Sequence, residues 1–308
     1  MSKVRRLNQE VSGELESVVE NFLEFCAAEG RSKDTLNSHR YALNEFFSTS
    51  KGLTNEKEIK QAVSSMLKGK HDAYYNKQLS ALRKFFEYCV DEELLNTNPA
   101  IGFKYRRPTI QIVEHPEESI RALLKVINQS TFSGLRDYAF CLLMLDTGVR
   151  PNEVLQLQVS DFYFDTKQVR IRREYAKTRK ERYLPVSAQT LQTIKKLISV
   201  RPDDWKVTVP VLCTYDGHRM PARNIQKRFR EYSLMIKEPI TPYHLRHIFG
   251  LWYIRNGGNA FSLQNILGHE KLDMTKVYVN LASTDVQENH ATASPLTKFA
   301  PKQRVKKI

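Results

Sequence analysis

The chain has no motif that cradles a nucleotide phosphate or holds a metal. It contains no Walker A loop, no His-Glu-x-x-His and no Cys-x-x-Cys pair. Its four cysteines, Cys26, Cys89, Cys141 and Cys213, are scattered. The first three sit in apolar helical patterns and read as small core residues in a reducing compartment, neither zinc ligands nor disulfides. No metal and no cofactor are expected. No run approaches the roughly 20 apolar residues of a membrane span. The start, Met1-Ser2-Lys3-Val4-Arg5-Arg6, is basic but lacks the apolar segment of a signal peptide. The expectation is a cytoplasmic protein without a membrane partner.

Acidic residues are also scarce relative to basic ones: 34 Asp and Glu against 48 Lys and Arg, a net charge of +14. Such an excess points to a polyanion, most often nucleic acid. A basic surface kept for solubility is the plainer alternative. At 308 residues and 41% hydrophobic content, the chain can bury a sizeable core, and a soft length prior suggests two domains.

Helical spacing organises the first hundred residues. Val18, Val19, Phe22, Leu23, Phe25 and Cys26 form one stripe ending at Gly30. Ser32 can cap a second helix, and further helices are expected over 56–68 and 72–92. Asn96-Thr97-Asn98-Pro99 stops the last of them. The segment 101–112 lacks periodicity and reads as a basic linker in which Lys104, Arg106 and Arg107 could grip phosphates. From 113 to 288 the pattern changes. Helices are expected at 117–128, 134–146, from Pro151, and at 187–199, 221–236, 243–256, 261–267 and 272–282. Three β-type runs, 161–164, 168–172 and 182–186, interrupt them. Residues 289–308 read as a basic tail carrying Lys302, Arg304, Lys306 and Lys307. The fold class is mainly α with a small antiparallel sheet: a helical domain over 1–100 and an α+β domain over 113–288.

Three stretches carry chemistry: Thr147-Gly148-Val149-Arg150-Pro151-Asn152-Glu153, Thr241-Pro242-Tyr243-His244-Leu245-Arg246-His247 and Leu267-Gly268-His269 followed by Tyr278. Alone, each has a bland reading: an arginine at a helix start, a histidine at a helix junction, a tyrosine covering a core. Together they suggest a tyrosine held among cations. Cleaving a phosphodiester builds negative charge on the non-bridging oxygens, and guanidinium groups suit it because they stay charged and present a rigid donor fork. A covalent phosphotyrosine keeps the ester energy, so rejoining needs neither ATP nor metal.

The ordered set Thr-Gly-x-Arg-x-x-Glu, a lysine in a basic turn between two strands, Leu-Arg-His, Leu-Gly-His and a tyrosine nine residues after that histidine resembles the tyrosine recombinases, the phage integrase and Xer-like family. The resemblance covers the whole second half, and the helical first half is similar to that family's SAM-like core-binding domain. It implies catalytic roles for Arg150, Lys177, Tyr243, Arg246, His269 and Tyr278, with Glu153 and His247 in support. Lys177 of the basic turn would protonate the leaving 5′-oxygen. The family usually has a histidine where this chain has Tyr243, which would act there as a neutral hydrogen-bond donor. Arg223, Asn224 and Lys227 lie on a helix similar to the family's major-groove helix, and Arg179 joins them as a DNA contact.

The resemblance further implies cutting and rejoining of double-stranded DNA at specific recombination sites, through a 3′-phosphotyrosine and a Holliday junction, by a homo-tetramer on two DNA sites. Integration, excision or resolution of a mobile element or replicon, with or without an accessory directionality factor, fits it. The alternatives are a type IB topoisomerase-like enzyme, a hairpin-forming resolvase, or a DNA-binding regulator without activity.

Overall fold

A computed structural model of the chain describes residues 2–50, 52–53, 55–107, 112–282, 290 and 294–299. The basic residues Lys302, Arg304, Lys306 and Lys307 lie outside the described residues. The chain divides into two compact units, Met1–Thr109 and Ile110–Ile308.

The first unit is four helices: α1 (Ser2–Ala28), α2 (Lys33–Thr49), α3 (Glu56–Leu67) and α4 (Asp72–Asp91). Ser32 caps α2 by accepting from Thr35 N, and Asn55 caps α3 by accepting from Lys57 N. The core is aromatic. Phe22, Phe46, Phe85 and Phe86 are fully buried, with edge-on contacts between Phe22 and Phe85 and between Phe46 and Phe86. Each such ring contributes about 1.5–3 kcal/mol by leaving water. The segment after α4 is tied back to it as far as Arg106. Arg83 donates to the carbonyls of Ala100, Ile101 and Phe103. Asn76 exchanges two hydrogen bonds with the Arg106 main chain, at 2.7 and 2.8 Å.

The second unit is built around α6 (Phe132–Thr147), which follows α5 (Glu117–Val126). Its sequence is apolar on nearly every face, so it is buried on nearly every face: Phe140, Cys141, Leu143 and Met144 have no exposed surface. Thr131 caps its start through Gly134 N at 3.1 Å. Gly148 ends it in the left-handed conformation at φ +59°, where a Cβ would also strike Phe249 and Leu267. A short α7 (Pro151–Val154) follows, with proline at its first position.

Three strands come next, β1 (Phe162–Tyr163), β2 (Gln168–Ile171) and β3 (Arg182–Pro185), antiparallel in the order β1-β2-β3. Val169 is paired with both Phe162 and Leu184, so this apolar face meets the core. Buried Asp161 binds Arg170 at 3.1 Å and Arg172 at 2.6 Å, which fixes the base of the β2–β3 hairpin. Helices α8 (Ala188–Ser199), α9 (Ala222–Ile236), α10 (Pro242–Arg255), α11 (Ala260–Leu267) and α12 (Asp273–Ala282) complete the unit. Both α8 and α10 pack on α6, and α12 packs on α10. One helical turn, Leu296–Phe299, is described within the segment read as a tail. Among the described residues no helix is long and apolar enough to cross a membrane.

Candidate active site

The elements around α6 bring Arg150, Glu153, Arg246, His269 and Tyr278 together with Arg182, which the sequence had not singled out. Arg150 precedes α7 and Arg246 lies on α10. His269 follows the left-handed Gly268 that ends α11, at φ +61°. Tyr278 comes from α12.

Main-chain carbonyls aim both arginines. Arg246 is 4% exposed. It donates to Gly148 O at 2.7 Å, to Leu267 O at 3.0 Å and to His269 Nε2 at 2.9 Å. Arg150 donates to Gly268 O at 3.0 Å and to Glu153 Oε1 at 3.2 Å. The other Glu153 oxygen accepts from Arg182 at 2.5 Å, while Arg182 Nε reaches Ile266 O at 3.2 Å. Two guanidiniums thus hold one carboxylate, and Arg246 adds a third cation from the neighbouring carbonyls, a surplus of two positive charges beside the end of α11. That surplus suits a phosphate.

The same crowding sets the titration of each group. Burial alone would raise the Glu153 carboxyl, but the Arg182 and Arg150 guanidiniums outweigh it and hold it below the usual carboxylate range. Burial and then the Arg150 charge lower Arg246 to about 10, which leaves it cationic at neutral pH. Burial, followed by Arg246 and Arg150, pushes His269 down to about 3. A neutral His269 fits its contacts. Nε2 accepts from Arg246, so Nδ1 carries the proton and donates to Thr275 Oγ1 at 2.9 Å. Thr275 has no exposed surface.

Tyr278 is 3% exposed. Its ring is parallel to that of His269, with centroids 6.4 Å apart. Its hydroxyl meets His247 Nδ1 at 2.9 Å. The ring lies over Gly250 of α10, where a Cβ would come within 2.7 Å of Cε1. Burial raises the phenol and the Arg246 charge draws it down, with burial the stronger.

The cluster thus sets a buried tyrosine near a buried arginine and a neutral histidine. The model of the phage integrase family matches residues 115–285, more than half of the chain. This chain belongs to the phage integrase family. It is a tyrosine recombinase, a DNA strand-exchange enzyme. It is 27% identical over 303 residues to the tyrosine recombinase XerC of Psychromonas ingrahamii, covering 92% of this chain and 98% of that protein. Its fold is similar to a Tn1549 transposon integrase in complex with a circular intermediate DNA, with a TM-score of 0.68 and 19% identity over 85% of this chain and 94% of that one. It is also similar to a lambda integrase dimer bound to a COC′ core site, with a TM-score of 0.67 and 14% identity over 84% and 96%.

The remaining residues that the family pattern singles out stand further out. Lys177 belongs to the β2–β3 hairpin. Its main-chain N lies 3.4 Å from Glu153 Oε1 while its side chain is exposed. Arg179 is exposed in the same turn with φ +51°. Tyr243 is 51% exposed at the start of α10. It lines a cavity of about 390 Å³ with Pro151, Asn152, Phe229, Arg230 and Thr241. His244, the adjacent histidine, is turned away from it: Nδ1 meets His115 Nε2 at 2.7 Å, and His115 Nδ1 meets Glu238 at 2.5 Å.

On α9 the side chains of Arg223, Asn224 and Lys227 are exposed, whereas Arg228 turns inward to Asp137 at 2.8 Å and to Tyr232 at 2.7 Å. In the first unit, Lys104 and Arg107 are exposed. The Arg106 guanidinium stacks on Tyr75 at 3.9 Å and donates to Lys70 O and Asp72. The Arg106 side chain keeps 41% of its surface exposed.

Proposed function

We propose that this enzyme recombines DNA at specific sites by attack of Tyr278 on a phosphodiester, leaving a 3′-phosphotyrosine and a free 5′-hydroxyl. The observation that carries this reading is the gathering of Arg150, Arg246, His269 and Tyr278 in one cluster from four separate places in the chain. Arg150 and Arg246 stabilise the charge that grows on the non-bridging oxygens. Removing one such preorganised donor costs roughly 10²–10³ in rate, or about 3–4 kcal/mol. Lys177 delivers a proton to the leaving 5′-oxygen from the hairpin turn. Tyr243 adds a neutral donor where relatives usually carry histidine. Glu153 keeps the arginines apart and aligned.

The exposed cations of α9 and of the hairpin, with Lys104 and Arg107 of the first unit, neutralise DNA phosphates. Arg223 and Asn224 are suited to guanine and adenine edges. The free 5′-hydroxyl of a second strand captures the phosphotyrosine, and exchange passes through a Holliday junction. A homo-tetramer on two DNA sites supplies one tyrosine per cleaved strand, and an accessory directionality factor can bias the direction. Integration, excision or resolution of a mobile element or replicon is the corresponding task.

The test is a nicked suicide substrate carrying the recombination site. The wild-type chain is expected to form a covalent protein–DNA adduct and Tyr278→Phe none. An adduct with Tyr278→Phe overturns the assignment, and relaxation of plasmids without sequence preference would favour a topoisomerase instead.

A further inference from the structure

A buried phenol is a poor nucleophile until its proton has somewhere to go. The structure narrows the acceptors. His269 has both ring nitrogens engaged, with Arg246 and Thr275. His244 is committed to His115. The Lys177 side chain stands in solvent, and Tyr243 is a phenol itself. Among the described residues, the side chain hydrogen-bonded to the Tyr278 hydroxyl is His247, through Nδ1 at 2.9 Å.

We propose that His247 is the general base that takes the proton from Tyr278 as it attacks the phosphate, and returns it when the strand is rejoined. This rests on Tyr278 being the nucleophile. In the forward step the Tyr278 O–H bond breaks and its proton passes to Nδ1, which leaves an imidazolium. The phenolic oxygen bonds to phosphorus, the bond from phosphorus to the 5′-oxygen breaks, and that oxygen takes its proton from Lys177. Rejoining reverses each transfer, so His247 acts on the tyrosine side of the phosphorus and Lys177 on the 5′ side.

The surroundings of His247 fit the role. Residues 247 and 250 lie one helical turn apart on the same face of α10. The missing side chain at Gly250 lets the Tyr278 ring settle against the helix, and this brings the hydroxyl to Nδ1. Nδ1 can accept only in the neutral ring, with the other nitrogen protonated. Burial, then Arg246 and His244 of the same helix, lower His247 to about 4, so it is neutral at physiological pH. The groups facing it from other elements are Tyr278 and His269 of the α11–α12 region. A phosphate bound at Arg246 cancels part of the charge that depresses His247. Its basicity therefore rises when the substrate is in place.

Two nicked substrates separate the proton on the tyrosine from the proton on the leaving group: the ordinary oxygen ester, and one with sulfur at the bridging 5′ position, whose thiolate leaves unprotonated. In single-turnover reactions, His247→Asn keeps an acceptor oxygen near the Nδ1 position but is not basic. It is expected to slow adduct formation by roughly 10²–10⁴ on both substrates. Lys177→Ala should be slow on the oxygen ester and recover on the sulfur one. Wild-type rates for His247→Asn on the sulfur substrate overturn the proposal, and so does recovery confined to that substrate. Should His247→Asn lose its cooperative melting transition, the pH–rate profile of the wild-type chain on the sulfur substrate decides. A limb rising through one ionisation between about pH 4 and about pH 9 supports the base, and a profile flat over that whole range overturns it. An adduct formed by Tyr278→Phe would instead overturn the nucleophile, which keeps the two failures distinct.

Discussion

Arg182 and Glu153 meet at 2.5 Å beneath the cationic cluster, although one lies on the third strand and the other on a helix of four residues. The contact ties the hairpin that carries Lys177 to the turn that carries Arg150. Both side chains are largely shielded, at 11% and 2% exposure. Breaking a buried pair by deleting one partner typically costs about 3–5 kcal/mol. Glu153→Ala should lower stability on that scale in urea unfolding. Arg182→Lys should keep the charge but lose the fork that spans Glu153 and Ile266 O, and should slow cleavage more than it weakens DNA binding. Equal losses in adduct rate and in binding would mean that Arg182 contacts the DNA directly.

Gly250 sets two effects against each other. Alanine in a helix interior gains up to about 1 kcal/mol over glycine. A Cβ there would sit 2.7 Å from Tyr278 Cε1, and overpacking costs about 1–3 kcal/mol. Gly250→Ala should therefore change the melting temperature little while displacing the tyrosine. A folded chain with a strongly reduced adduct yield is expected; an unchanged yield would show that the ring does not need this seat.

Acid should destabilise the second unit before any carboxylate titrates. His247 and His269 are depressed to about 4 and about 3, against an ordinary histidine value near 6.5. Between these limits the unfolded chain binds protons that the folded chain refuses, so stability rises with pH. It is fully present above about pH 6.5 and lost as pH falls toward the folded values. Melting temperatures recorded at stepwise lower pH should show this slope, and His269→Asn should flatten it.

Charge on α9 should divide into two classes. Arg223→Ala and Lys227→Ala, on the exposed face, should weaken DNA binding and each reduce the slope of log affinity against log salt by about 1. Arg228→Ala removes a partner of the fully buried Asp137. It should lower the melting temperature first. Salt titrations of binding and thermal melts on the same proteins separate the classes.

Tyr243 stands where the resemblance to the tyrosine recombinases implies a histidine. Tyr243→Phe should slow adduct formation, by at most the roughly 10²–10³ of one lost donor. Tyr243→His should be tolerated, because an imidazole fits the same exposed helix start. An unchanged rate for Tyr243→Phe would remove the hydroxyl from the chemistry.

The helices were legible because their apolar periods are strong, with an explicit cap at Ser32; the caps Thr131 and Gly148 of α6 appear only in the structure. The three strands were legible because turn residues bracket short β-branched and aromatic runs. Arg182 was not. In Lys180-Glu181-Arg182-Tyr183 it looks like any solvated cation, and only the pairing of Ile171 with Arg182 carries it to the cluster. Arg228 was hidden for a related reason: one step from exposed Lys227 turns a side chain by about 100°, and nothing local announces the buried Asp137 that claims it. The stacking of Arg106 on Tyr75 was equally hidden, because Tyr75 lies far back in the chain. Tyr278 and its neighbours could be picked out as an ordered set, but the bond from Tyr278 to His247 appears only once α12 packs on α10.

The two arginines of the cluster take their aim from carbonyls at the ends of α6 and α11, Gly148 O, Leu267 O and Gly268 O. Every residue type supplies a carbonyl. The side chains on those helices are therefore free to diverge without misdirecting a guanidinium, provided that the helix ends stay where they are. The two glycines that end them are denied that freedom. Gly148 is the stricter of the two, being confined both by its positive φ and by Phe249 and Leu267 against it. The aim of the cluster is thus inherited through the path of the main chain, and it can outlast most of the sequence that first built it.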